Sequence, residues 1–310
     1  MSQKPSISEL FERTIYYPDF EYKDRLERLV GLDEQKKKLA KLIGLLINSK
    51  GLDNWIEKYH PNAREIVHKY ISRPPLVVLS GDVGSGKTEL AETIGDAIAR
   101  QENIDITLFP LSLSSRGQGR VGEMTQLLTA AFDFTVSEAT KFKRDGRSNG
   151  AVILLVDEAD AIAQSREANQ MHHEDRAGVN AFIRGIDRIA NNSLPAAVIM
   201  CTNRLNALDP AVKRRAADIL IFSRPSQEQR YSVLAPLKQL GVSEETIQSV
   251  VKATGPKADR DYGCTFSDLV QRLIPNIILD SYPSQAITND RIVQIAASFI
   301  PTPPFRDSFT

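Results

Sequence analysis

Gly81-Asp82-Val83-Gly84-Ser85-Gly86-Lys87-Thr88 is the stretch of this chain whose residue types and spacing most directly imply chemistry. Glycines at these intervals let backbone N–H groups close around phosphate oxygens, and the helix that follows adds the positive end of its dipole. Lys87 can then reach the β- and γ-phosphates of a nucleoside triphosphate, and Thr88 can ligate Mg2+. A second element is the apolar run Val152–Val156, which ends in Asp157-Glu158-Ala159-Asp160. Two carboxylates at the end of a buried strand suit Asp157 to the magnesium shell and Glu158 to orienting or deprotonating an attacking water. A third run, Ala197–Cys201, leads into Thr202-Asn203, where the Asn203 amide can hold that water.

Positioning these groups requires several strands that end at one edge. Short apolar runs recur at Leu76–Leu79, Ile106–Phe109, Val152–Val156, Ala197–Cys201 and Ile219–Phe222, separated by stretches long enough for helices. Runs this apolar suit strands buried on both faces, which predicts an α/β fold with a five-stranded, mainly parallel sheet between helices. Upstream, Asp33 is placed to cap a helix carrying Leu39, Leu42, Ile43, Leu46 and Ile47, with Gly51 as its stop and Lys36–Lys38 on its wet face. Trp55–Tyr70 reads as a further helical piece, broken by Pro74 and Pro75. Beyond Pro225 the strand runs stop. Ser226 with Gln229 makes a capping-box start, and helical patterns follow near 243–254, 265–281 and 288–300. The predicted domains are an N-terminal segment 1–29, a large α/β unit 30–223, a small all-helical lid 224–300 and a loose proline-rich tail 301–310.

The chain has 310 residues, 39 Lys plus Arg against 39 Asp plus Glu, and two cysteines. The balanced charge weighs against nucleic acid as the direct substrate. Cys201 and Cys264, far apart in apolar surroundings, give neither a disulfide framework nor a zinc pattern and read as buried thiols in a reducing compartment. No signal peptide opens the chain, and no apolar run approaches the roughly 20 residues of a membrane span, which predicts a cytoplasmic protein.

The order of phosphate loop, Asp-Glu strand, Thr-Asn strand, Leu208-Asp209-Pro210-Ala211 with Arg214-Arg215, and helical lid resembles the AAA+ ATPases over residues 30–300. Val30-Gly31-Leu32-Asp33 is similar to the segment that borders the adenine in that family, so the resemblance assigns Gly31 and Leu32 to the nucleotide site. It further implies ATP and Mg2+ as ligands, and a homo-oligomeric ring, usually a hexamer. In that ring Arg214 or Arg215 reaches the neighbouring subunit's γ-phosphate, and the sequence leaves open which of the two does so. Departures are visible. Ala216-Ala217-Asp218 stands where many members carry a second arginine element, and the lid helix opening at Thr265-Phe266-Ser267-Asp268-Leu269 lacks the usual sensor arginine, with Arg272 a weak substitute. Gly119-Arg120-Val121-Gly122 occupies the pore-loop position, with Arg120 in place of the family's aromatic. A second candidate pore element is Arg166–Arg176, whose adjacent His172 and His173 cannot converge well on one metal ion.

Within the group, Val179-Asn180-Ala181, Ile186-Asp187-Arg188-Ile189 and the Arg-Ala-Ala-Asp-Ile element are most similar to the pachytene-checkpoint branch, and the short chain to its bacterial form. That resemblance implies an ATP-driven protein remodeller that disassembles closed HORMA-domain complexes in antiphage cyclic-oligonucleotide signalling. The rival reading is a nucleotide switch on nucleic acid, of the clamp-loader or initiator type, which predicts stimulation by DNA.

Overall fold

The computed structural model describes residues 10–71, 73–113, 123–143, 148–160 and 173–304. Elements run β1 (Ile15–Tyr17), α1 (Phe20–Arg28), α2 (Asp33–Ile47), α3 (Ser49–Tyr59), α4 (Arg64–Ile71), β2 (Leu76–Gly81), α5 (Lys87–Glu102), β3 (Asp105–Ser112) and α6 (Glu123–Phe142). They continue with β4 (Gly150–Asp157), α7 (His173–Asn191), β5 (Ala196–Thr202), α8 (Pro210–Lys213), β6 (Ala216–Phe222), α9 (Gln227–Leu234), α10 (Glu244–Ala253), α11 (Ile274–Ser281) and α12 (Asn289–Ser298).

One sheet of six strands, in the order β1-β3-β4-β5-β2-β6, forms the larger unit. The pairs β3 with β4, β4 with β5 and β5 with β2 are parallel, so the predicted buried parallel sheet is present. The residues of β4 from Gly150 to Val156 and all of β5 are buried, which is why these strands read as unbroken apolar runs. The sequence predicts five strands, and the sixth is β1, three residues paired antiparallel with β3. A strand this short has no legible period. Its anchor is tertiary: Tyr17 is 2% exposed, lies against Gly95 of α5, and donates its hydroxyl to the Glu92 carbonyl. Burial raises the Tyr17 phenol above its ordinary pKa, so it stays a donor.

Gly51 does not end the first long helix. Asn48 interrupts it, caps α3 by accepting from the Gly51 N–H at 3.3 Å, and donates to Glu102 Oε2 at 2.8 Å. The stretch predicted as one helical piece from Trp55 is two helices around a 3₁₀ turn at Pro61–Ala63, where a proline can open a turn but not continue a helix. On the predicted wet face of α2, Lys38 pairs with Asp218 at 2.7 Å.

The chain divides into two compact units, cut differently from the predicted domains. One comprises residues 1–27, 34–80 and 88–221; the other comprises 28–33, 81–87 and 222–310. The segment before the first long helix and the phosphate loop therefore group with the helical unit. That second unit has its own core, including Leu234, Ile247, Val250, Leu269, Leu273 and Ile292. Its first helix opens with the predicted capping box between Ser226 and Gln229. Residues 268–273 form a π-helical turn leading into α11. The predicted loose tail is fixed at its start: Thr302 donates through N and Oγ1 to the buried Asp268 carboxylate, at 3.0 and 2.7 Å. Hydrogen-bonding demand of a buried carboxylate, which composition cannot reveal, holds the segment.

Candidate functional site

In the second unit, residues 81–87 leave β2 and turn into α5. Gly81, Gly84 and Gly86 all have positive φ, and at Gly84 (φ +74°) a Cβ would lie 2.8 Å from both Ser267 Cβ and Thr265 Oγ1. Only glycine combines that backbone conformation with so close an approach. The Ser267 N–H donates to the Gly84 carbonyl at 3.0 Å, so this carbonyl is satisfied from the lid side. The Lys87 ammonium, 7% exposed by residue, donates to the Gly81 and Asp82 carbonyls at 2.8 Å each. The loop thus cradles its own lysine, a compact cation with rotatable donors that can be handed to a phosphate oxygen. Gly31 (φ +80°) lies in the same unit; its carbonyl accepts from Gln229 Nε2 at 2.6 Å, while Gln229 Oε1 accepts the Ser226 N–H at 2.8 Å. One glutamine therefore closes the helix cap and fixes Gly31. Leu32 is buried and stands 3.0 Å from where a Cβ of Gly86 would be. The predicted residues Gly31, Leu32 and Gly81 to Lys87 come together, and a glycine-rich turn that a Cβ at Gly84 would crowd, with a lysine held in it, suits a nucleotide phosphate chain.

In the sheet unit, Ser80 of β2 is paired with Thr202 of β5, and Val156 of β4 with Met200, so these strands end along one edge. Asp157, exposed Glu158, Thr202, Asn203 and the exposed Thr88 at the start of α5 mark that edge. Glu158 has φ +51°, a left-handed conformation that costs a non-glycine residue on the order of 1 kcal/mol. Its N–H donates to Asp157 Oδ1 at 2.8 Å. Glu158 is exposed where the strand ends, and backbone strain of this kind clusters at working sites. Thr88 and Asp157 supply the hydroxyl and carboxylate oxygens that Mg2+ prefers.

Asp160 is the residue whose part the sequence reading missed. Its Oδ1 accepts from Thr202 Oγ1 at 2.6 Å and from the Asn203 N–H at 2.8 Å, and its Oδ2 accepts from Asn203 Nδ2 at 3.0 Å. The Asn203 side chain is thereby locked with Nδ2 toward Asp160 and Oδ1 left as an acceptor. The signal was present, a carboxylate three positions after Asp157, but its partner lies 43 residues away.

The two arginines after α8 differ. Arg215 makes a bidentate pair with Asp187 at 2.7 and 2.9 Å and also donates to the Ala211 carbonyl at 3.2 Å; the hydrogen bond to Asp187 raises its pKa. Arg214 is exposed, and its side chain has no hydrogen-bond or ion-pair partner among the described residues. Asp209 caps α8 and Pro210 opens it, which fixes where both arginines emerge. Arg272 is bound to Asp268 at 2.6 Å and to Thr302 Oγ1 at 3.2 Å, and its guanidinium lies over the Phe299 ring. These contacts tie it to the start of the tail. The predicted pore loop, Gly119-Arg120-Val121-Gly122, lies outside the described residues, as does the second pore element up to His172. Cys201 and Cys264 are buried as predicted, and burial pushes the Cys264 thiol up to about 11.

The profile of the AAA family, the ATPase family associated with various cellular activities, matches residues 77–224. CD-NTase-associated protein 6 of Escherichia coli strain MS 115-1 is 63% identical over 309 residues, covering 99% of each chain. A chain in the solved structure of the E. coli MS115-1 HORMA:CdnC:Trip13 complex superposes with a TM-score of 0.91 at 62% identity, over 98% of this chain and 100% of that one. The structure of Rhizobiales Trip13 gives a TM-score of 0.75 at 52% identity, over 95% and 100%. Among the described residues no helix is long and apolar enough to cross a membrane. Identity at this level along the whole length, on a closely superposing fold, means that the chain belongs to the AAA ATPase family, alongside CD-NTase-associated protein 6.

Proposed function

We propose that this protein is a cytoplasmic ATP-driven ring, hexameric in the manner of its family, that opens closed HORMA-domain complexes in antiphage cyclic-oligonucleotide signalling. The observation that carries the target is the near-complete likeness to a chain solved within a HORMA:CdnC:Trip13 complex. In this reading Gly31 and Leu32 border the adenine, and the N–H groups of Gly81 to Gly86 with the Lys87 ammonium hold the phosphates. Thr88 and Asp157 would hold Mg2+, which supplies charge neutralisation across the β- and γ-phosphates. Glu158 takes one proton of the attacking water, and Asn203 Oδ1 accepts a hydrogen bond from that water's other O–H, which stays on the oxygen that attacks.

Arg214 is the finger that completes a neighbour's site, because Arg215 is already committed to Asp187. A cation placed against the transferring phosphoryl group is worth about 10³-fold or more. The segment at Arg120 grips the protein substrate, and the change in nucleotide state moves the lid and drags that segment along the ring axis. The test is ATP turnover with a HORMA-domain protein or with DNA, in the natural chain and in Glu158→Gln. Stimulation by the HORMA protein, with nucleotide binding kept and turnover lost in Glu158→Gln, is the expected result. Stimulation by DNA alone would transfer the protein to the clamp-loader or initiator class, and unimpaired turnover in Glu158→Gln would remove that residue from the chemistry.

A further inference from the structure

Arg224 lies just beyond β6 and outside every motif described above, yet it ties the phosphate loop to the end of the chain. Its Nε donates to Asp82 Oδ2 at 2.7 Å, and its Nη1 donates to the Gly263 and Thr302 carbonyls at 2.6 and 2.8 Å. The guanidinium lies 4.9 Å from the centroid of the Tyr262 ring. Nη2 is buried and has no hydrogen-bond partner among the described residues, a cost that the other bonds must outweigh. Such a position is hard to justify for lid stability alone, since an apolar residue would pack there without an orphaned donor.

The other end of the connection is equally built. Asp268, 1% exposed, accepts from the Thr265 N–H at 3.0 Å, from Thr302 N and Oγ1 at 3.0 and 2.7 Å, and from Arg272 at 2.6 Å. Arg272 also reaches the Ile300 carbonyl at 3.4 Å and stacks on Phe299. Thr265 and Ser267 in turn approach the loop at Gly84. The loop is therefore held at two points, Asp82 and Gly84, by groups that share one C-terminal segment.

We propose that residues 299–302 are a strap that sets the phosphate loop's conformation, with Arg224 as the positioning residue that transmits it to Asp82. The planar fork of an arginine is required, because it must satisfy a carboxylate and two carbonyls at once; a lysine's point charge cannot span them. Pulling on the C-terminal segment, whether by a neighbouring subunit or a partner, would then alter nucleotide affinity without touching the nucleotide. This inference rests on the reading of Gly81–Thr88 as the phosphate loop.

The experiment titrates a fluorescent ADP analogue into the natural chain, Arg224→Lys, a chain ending at Ile300, and the combination of the two. Each single change is expected to raise the Kd about tenfold, and the combination no further than the larger single effect, as for two cuts in one connection. Thermal melts and oligomer mass establish that each variant is folded; should the shortened chain fail, Thr302→Val, which removes the hydroxyl's bonds to Asp268 and from Arg272 and keeps the backbone bond, takes its place with a smaller shift in the same direction. A Kd within twofold of the natural chain in the folded variants, or fully additive effects, overturns the strap. Absence of nucleotide binding by the natural chain would instead remove the phosphate-loop reading on which the strap depends.

Discussion

Replacing Asp160 by asparagine tests the water-positioning arrangement with one atom. Asp160 Oδ2 accepts from Asn203 Nδ2 at 3.0 Å, while Oδ1 serves Thr202 and the Asn203 N–H. An asparagine at 160 can keep Oδ1 on its two donors, but then an NH2 group faces the Asn203 NH2. The Asn203 amide must either flip, turning a donor where Oδ1 was, or lose its partner. An unmade bond between these part-buried groups costs about 1–3 kcal/mol, and each 1.4 kcal/mol is a factor of ten, so the chemical step should slow by about 10- to 100-fold. Because Asp160 and Asn203 belong to the sheet edge, nucleotide Kd should stay within about threefold, well below the loss in rate. The swap Asp160→Asn with Asn203→Asp restores a donor facing an acceptor at unchanged net charge and should recover about tenfold of the lost rate. Single-turnover hydrolysis at saturating ATP with Mg2+ is the assay. A rate for Asp160→Asn within threefold of the natural chain, or a loss fully explained by weaker ATP binding, would refute the reasoning.

Four other outcomes follow from the geometry. Gly84→Ala places a Cβ 2.8 Å from Ser267 and Thr265 at φ +74°; it should lower lid stability by about 1–3 kcal/mol and abolish tight nucleotide binding, read by thermal melts and ADP titration. Arg214→Ala should reduce turnover of the assembled ring by about 10³-fold while leaving the melting temperature unchanged. Arg215→Ala, by contrast, should cost about 0.5–1 kcal/mol of stability, since its pair with Asp187 is partly exposed and screened; the reverse pattern would exchange the two roles. Asp268 is desolvated by burial, which raises its pKa, but the bonds from Thr265, Thr302 and Arg272 outweigh that and leave it lowered. A depressed carboxylate contributes stability that is complete above its unfolded pKa of about 4 and is lost as pH falls through the lower folded value. The acid limb of a stability-against-pH curve should therefore flatten in Asp268→Asn, and an unchanged limb would count against this carboxylate's part.

Elements that bury an unbroken apolar run were legible because burial on both sides leaves a composition no loop would have. Val152–Val156 and Ala197–Cys201 lie within β4 and β5 and end at the edge where Asp157 and Asn203 stand. The phosphate loop was legible for a different reason: backbone N–H groups must close on an anion, so glycine spacing itself carries the chemistry. What the sequence could not supply depends on which distant groups meet. β1 exists because Tyr17 fits against Gly95, and Asn48 restarts a helix where Gly51 looked like a stop. Between Arg214 and Arg215 the residue type is identical, and only the position of Asp187 on α7 separates a tethered guanidinium from an exposed one. The same holds for Asp160, Arg224 and the start of the tail. Each is a polar group whose partner is remote in sequence, and the demand of a buried charge for specific acceptors or donors is met only once the chain has folded.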